Sequence, residues 1–278
     1  MKRVYALVLA GLLAALLCAG VIIGSDSGET GGAAVRIAAS TSLLECAVYD
    51  LLGNEPGIEV TTLIPPGNCP GHFDVSPRTA TRLKNADLLL HHDYQEALAR
   101  KLKGLSGERL MVASFKTPGS FLIPANYLLL LQEVKSVLQT RYPELGERLE
   151  RNLSVAKKRL RKLAEKLDQH PSAWSDTPVI VASHQKLFIE HIGFRPVGVL
   201  KRPSGMHPKD LQNLLKLEPE LIVGNLQSNA TAARRLGQRM EKPVAVLTNF
   251  PAGTGNKHNY EQMVLDNLKA LKEAWNQR

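Results

Sequence analysis

The sequence predicts an α/β protein of two lobes, each with a parallel four-stranded sheet flanked by helices, joined by one long rigid helix. Three observations carry this. Short apolar runs recur along the chain with helical patterns between most of them. Most of these runs are continuously apolar rather than alternating, as strands buried on both faces are. The eight runs also fall into two sets of four on either side of a long leucine-striped segment, and strands alternating with helices in this way build parallel sheets.

The chain opens on Met1, Lys2 and Arg3, followed by an uncharged apolar run over residues 4–24 and a polar Gly/Ser-containing stretch to residue 32. A positive start, an apolar centre and a flexible tail make residues 1–32 an export segment. The run is also just long enough to span a bilayer, so an uncleaved N-terminal membrane anchor is the second reading. Cys18 follows Leu16 and Leu17 rather than a small residue, which argues against lipid attachment.

The N-terminal lobe, residues 33–141, has predicted strands at 35–40, 58–64, 87–91 and 110–115. The C-terminal lobe, residues 171–278, has them at 179–183, 196–200, 221–224 and 244–247. Between them, residues 142–170 form the linking helix. Leu145, Leu149, Leu153, Ala156, Leu160, Leu163 and Leu167 recur at spacings of four and three, which is one apolar stripe. Pro143 suits its first turn and Pro171 stops it. Such a helix runs about 40 Å at 1.5 Å per residue, enough to cross a small domain. A stiff element of that length predicts small rocking of the lobes rather than wide hinge closure.

At 278 residues, 44% hydrophobic and 22% charged, the chain can bury two cores of ordinary size. Its net charge of +9 is not gathered in an arm. Much of it lies at residues 157–162, where Leu160 continues the stripe and the basic residues fall on the opposite, solvated face. An exported chain offers nucleic acid no role, and a weak contact with an anionic membrane is the other reading of this face.

In parallel α/β sheets, ligands bind beyond the carboxyl ends of the strands, and the unusual residues of this chain gather there. Ser40 follows the first strand, the stretch Pro65 to His72 the second, His91-His92-Asp93 the third and Ser120 the fourth. In the second lobe His184 ends the first strand, Asn225 and Gln227 the third, and residues 249–253 the fourth. His72 and His184 are the leading metal ligands, because each lies in a Gly- or Ser-bearing loop at corresponding edges of the two lobes. Neutral imidazole suits zinc, and added carboxylate suits manganese. His92 either caps the cleft wall or joins the ligands. His207, before Pro208, reads as a helix cap or a supporting group; His258 lies in a loop, and His170 and His191 read as structural or exposed. Cys46 and Cys69, in an oxidising compartment, form a disulfide, stay free, or ligate metal as thiolates. The sequence contains no nucleophile elbow, HExxH, phosphate loop or GxGxxG. Turnover therefore has no positive signal, and a metal-dependent hydrolase assembled from scattered histidines and acids is the one enzyme reading left.

The stretches VRIAASTSLLECAVYDLLG, LIPPGNCPGHFDVSPRTATRLKNADLLLHH, VIVASHQKLFIEHIGF and MHPKDLQNLLKLEPELIVGNLQSNATAARRL follow one another in a specific order and spacing. Over residues 35–278 the chain thereby resembles the extracytoplasmic solute-binding proteins of zinc- and manganese-type metal ABC importers. The resemblance implies two pseudo-symmetric lobes with a metal ion held between them and delivered to a membrane permease. It further implies a monomer without turnover, in the periplasm or on the outer face of the cytoplasmic membrane. His72 takes the place of the family's Pro-Gly-x-x-Pro-His histidine with a one-residue offset, since Gly71 follows Pro70 directly. His184 matches without adjustment. The family's other first-lobe histidine is met by residues 117–120, its second-lobe acid by Asn225 and its late-loop acid by Lys257 and His258. Cys46, Cys69, Asp74, His92, His207 and His258 are the available replacements. The alternative keeps fold and transport but takes a chelated metal or small organic ligand, held by Ser40, Asn68, Ser120, Asn225 and Gln227.

Overall fold

A computed structural model describes residues 35–278 apart from 55, 74–75, 85, 107–109, 117–118 and 253–258, and it describes residues 72, 78, 105 and 106 by backbone only. The export run, Cys18, Asp74 and His258 therefore lie outside the described residues. Among the described residues no helix is long and apolar enough to cross a membrane; the anchor reading falls on residues 1–32, outside them.

All eight predicted strands form. β1 (Val35–Ala39), β2 (Ile58–Thr62), β3 (Leu88–His92) and β4 (Met111–Phe115) make one sheet in the order β2-β1-β3-β4. β5 (Pro178–Ala182), β6 (Arg195–Leu200), β7 (Leu221–Asn225) and β8 (Val244–Leu247) make a second in the order β6-β5-β7-β8. Every pairing is parallel. The two halves thus repeat one topology, which brings the carboxyl ends of β1, β3, β5 and β7 to the centre of each sheet edge. β3 runs one residue further than its apolar run suggests, because His92 still pairs with Phe115 of β4.

α1 (Ser42–Leu52) starts where β1 ends. Thr41 caps it by accepting from the Leu44 N–H, and Gly53 closes it at φ 79, a conformation that costs glycine nothing. α4 (Pro124–Arg141) follows the short helices α2 (Pro77–Leu83) and α3 (Glu96–Ser106). The sequence reading missed α4 because Leu128, Leu129, Leu130 and Leu131 form a block without a 3.6-residue period. The linking segment is likewise not one helix from residue 142. Tyr142 breaks from α4 at φ −134, ψ 72, a single tight turn spans Pro143–Leu145, and α5 then runs Gly146–Asp168. Its 23 residues span roughly 34 Å. Leu149, Ala156, Leu160, Leu163 and Leu167 of the predicted stripe are buried.

The second lobe adds α6 (Lys186–His191), α7 (Pro208–Leu214), α8 (Ala230–Met240) and α9 (Tyr260–Trp275). One core runs through both lobes: α1, α4, α5 and α9 pack the inner faces of both sheets into a single buried cluster, and two smaller clusters lie under the outer faces. In β7, a Cβ on Gly224 would sit 2.7 Å from the Ala233 Cβ. Only glycine lets α8 approach the strand that carries Asn225 this closely.

Candidate functional site

The loops at the carboxyl ends of both sheets line one cavity of about 460 Å³. From the first lobe Cys69, Pro70, Gly71, Asp93 and Tyr94 reach it. From the second come His184, Arg202, Asn225, Gln227, Ser228 and Phe250.

The chain leaves β2 through Pro65, turns with the Asn68 N–H donating to the Pro65 carbonyl at 3.0 Å, and enters a single 3-10 turn at Pro70–His72. Three prolines stiffen this arm. It is also tied to the other lobe, since Gln227 Nε2 donates to the Pro66 carbonyl at 2.7 Å. Cys69 is half-buried on the cavity wall and Asn68 is exposed. Of His72 the backbone turn is defined, and it follows directly on the lining residues Pro70 and Gly71.

His184 sits in the 3-10 turn Ser183–Gln185 that ends β5 and faces the cavity with its ring exposed to solvent. Partial desolvation, and then the guanidinium of Arg202, push its pKa below the ordinary histidine value, so the ring is neutral and has a lone pair for a metal. The neighbouring Gln185 is buried and fastens the turn by donating to Asn249 Oδ1 at 3.0 Å.

Asn225 and Gln227 line the cavity, but their polar atoms are engaged. Asn225 Oδ1 accepts from the Gln227 N–H at 3.1 Å and from the Ser228 hydroxyl at 2.9 Å. Gln227 Nε2 also donates to Thr248 Oγ1 at 2.8 Å, and its Oε1 accepts from the Asn249 N–H at 3.2 Å. They are a braced wall rather than free ligand groups.

Several expected site residues lie elsewhere. His92 is fully buried; its Nε2 bonds Thr41 Oγ1 at 3.0 Å, and its ring stacks on Tyr94 with centroids 5.2 Å apart. Burial first, and His91 second, lower its pKa to about 3. It supports the Tyr94 ring from behind and is not a cleft ligand. Ser40 is buried too, donating to Gln95 Oε1 at 2.7 Å, while the same oxygen accepts from the His92 N–H at 3.0 Å. Ser120 borders a separate small cavity of about 60 Å³, and its Oγ accepts from the Leu122 N–H. His207 is exposed in front of α7, where its backbone N–H donates to Asp210 Oδ2 at 3.0 Å.

The cysteine expectation is corrected. Cys46 and Cys69 are both free, with no disulfide between them. Helix α1 turns Cys46 inward, onto a different cavity of about 230 Å³ shared with Asp50, Arg159 and Glu261, whereas the arm after β2 holds Cys69 over the strand ends. Burial pushes the Cys46 thiol well up, Asp50 and Glu45 adding to the effect, so it does not serve as a thiolate ligand. Tyr94, Arg202 and Ser228 are the lining residues the sequence reading missed. Phe250 lies inside the predicted fourth loop, but Arg202, in a Lys-Arg-Pro-Ser stretch, carries no periodicity or motif that marks it. Among the described residues, no three His, Cys, Asp or Glu side chains converge as a metal cluster.

A family model described as "ZnuA: Zinc-uptake complex component A periplasmic" matches residues 37–274. The crystal structure of ZnuA is 16% identical, with a TM-score of 0.69 over 87% of this chain and 98% of that one. The Zn(II)-bound ZnuA-like domain of Streptococcus pneumoniae AdcA is 18% identical, with a TM-score of 0.67 over 87% of this chain and 99% of that one. The laminin-binding protein Lmb of Streptococcus agalactiae, described as having adhesin and metal transporting activity, is 16% identical, with a TM-score of 0.70 over 86% and 98%. These likenesses establish the fold. Among curated proteins, the uncharacterized protein RP014 of Rickettsia prowazekii (strain Madrid E) is 23% identical over 200 residues, which are 69% of this chain. The match spans 63% of that relative's length.

Proposed function

This chain belongs to the family of periplasmic zinc-uptake complex component A, and on that premise we propose that it captures a transition-metal ion, zinc- or manganese-like, in the cavity between its lobes and delivers it to the permease of an ABC importer. The observation that carries the reading is His184. A neutral imidazole held by a short turn at a strand end, opening into a cavity that both sheets line, supports a metal ligand on the second-lobe side. His72 is the partner ligand from the first lobe, on the proline-stiffened arm, and Cys69 beside it is the next donor within the same wall. Binding from two lobes at once suits a carrier that must present its cargo and release it, and the protein acts as an exported monomer without turnover.

The direct test is elemental analysis of the protein purified from its native compartment without added salts. About one zinc or manganese per chain is expected. Metal-free protein that also fails to take up Zn²⁺ or Mn²⁺ in dialysis would overturn the proposal.

A further inference from the structure

The basic residues of α5 do not border open solvent alone. Between the opening turns of α4 and the middle of α5 runs a groove of about 460 Å³, separate from the metal cavity and almost wholly apolar in its surface. Ala125 and Leu128 line its α4 side. On α5, Lys157, Leu160, Arg161 and Ala164 line it, and their spacing of three, four and seven residues puts them on one helix face.

Charge and apolar surface are divided between the two lips. Lys157, Lys158 and Arg161, all on α5, are the ionisable residues of the lining, and none of its residues is acidic. All three are exposed. Arg161 makes a pair with Glu165 at 3.8 Å, which is weak on an open surface; Lys157 and Lys158 have no ion pair among the described residues. The α4 lip is apolar, since Leu129, four residues after Ala125 and so on its side of the helix, is 48% exposed. A merely solvated helix face needs no such groove, and exposed apolar surface rimmed by charge marks an interaction site.

An anionic phospholipid is divided in the same way, with one charged end and an apolar tail. Lysine stems can lie along that tail while their ammonium groups meet the headgroup. We propose that this face of α4 and α5 docks on an anionic bilayer, the α5 cations meeting lipid headgroups and an acyl chain entering the groove. The choice of a membrane as occupant rests on the delivery role proposed above, which brings the protein to one; the groove and its charge do not.

The protein purified from its native compartment would be mixed with vesicles of phosphatidylcholine alone or of phosphatidylcholine with phosphatidylglycerol. Binding is read by sedimentation and by amine acetylation scored lysine by lysine, the second readout being independent of any contact that residues 1–32 make. Phosphatidylglycerol should raise the bound fraction, and high salt should remove the gain. Acetylation of Lys157 and Lys158 should slow several-fold on the mixed vesicles, whereas Lys101 and Lys103 of α3, across the first sheet from α5, should keep their rate. Replacing both groove lysines, Lys157→Gln with Lys158→Gln, should weaken the phosphatidylglycerol-dependent binding by roughly fivefold per charge. Ala125→Trp, which fills the groove without changing charge, should weaken it as well. These three positions are exposed, so the unfolding midpoint should stay at the wild-type value. No response to phosphatidylglycerol, an unchanged response in either variant, or equal protection of Lys101 and Lys103 overturns the proposal. Protection of Lys157 and Lys158 by poly-L-glutamate but not by vesicles overturns it in favour of an acidic polypeptide. None of these readouts involves metal, so the metal reading stands or falls separately on elemental analysis.

Discussion

Burial keeps the His92 imidazole neutral down to about pH 3, whereas in the unfolded chain the same ring protonates near 6.5. Between those values the unfolded state binds the extra proton. This contribution to stability is therefore complete above about pH 6.5 and is lost as pH falls, by about 1.4 kcal/mol per unit. Urea unfolding at intervals from pH 7 to 4 should show a steeper loss for wild type than for His92→Gln; equal slopes would assign the loss to other groups. His184, open to the cavity, answers to metal instead. Saturating Zn²⁺ or Mn²⁺ at one hundred times the dissociation constant should stabilise the wild type by about 2.7 kcal/mol, and most of that should vanish in His184→Ala and in His72→Ala. Equal thermal shifts in all three proteins would remove both residues from the site. The thiols separate by environment: alkylation of the folded protein should modify the half-buried Cys69 and spare Cys46, which is 3% exposed, and metal should slow the Cys69 reaction. A Cys46–Cys69 crosslink in non-reduced peptides would contradict the arrangement.

α5 is amphipathic, its stripe buried against α1, α4 and α9 and its basic residues in solvent except Arg159, which is held in ion pairs with Asp50 and Glu261. Leu160→Ala, at a side chain 2% exposed, should cost about 2–5 kcal/mol in denaturant unfolding. Lys158→Ala on the opposite face should stay within about 0.5 kcal/mol, and similar costs for the two would mean that the stripe is misassigned. This helix was legible because its 3.6-residue period repeats over many turns. α4 was not, because its four-leucine block at residues 128–131 runs across both its buried and its open side, Leu129 being 48% exposed, and so sets no phase. The Tyr142 break between them depends on two dihedrals at one residue and leaves no periodic trace.

The lobes are tied together at several levels. Arg159 of α5 pairs with Asp50 of α1 at 2.6 Å and with Glu261 of α9 at 3.1 Å. The rings of Tyr127 and Tyr260 stack with centroids 3.7 Å apart, and the Tyr260 hydroxyl donates to the Phe121 carbonyl at 2.7 Å. Ser42 donates to the Pro251 carbonyl at 2.8 Å. Because one core is shared, wide opening would expose apolar surface as well as break these contacts. Small-angle scattering of the protein with and without metal should give curves that differ only slightly. A change on the scale of a hinged two-domain closure would be incompatible with the shared core.

At the scale of the whole molecule, the sequence by itself determined the strands, their division into two sets of four, the stripe of α5 and the strand-end loop of His184. All of these are local or periodic: a strand buried on both faces must be apolar throughout, and a helix packed on one side must repeat its apolar residues. The tertiary structure decided the side on which Cys46 lies, the burial of His92 against Thr41, the bracing of Gln227 against Pro66 and the entry of Arg202 into the cavity. Each of these depends on a neighbour brought from a distant part of the chain by sheet order and helix packing. No spacing along the sequence carries that pairing, because the free energy that places such a side chain comes from the core around it rather than from the residues beside it.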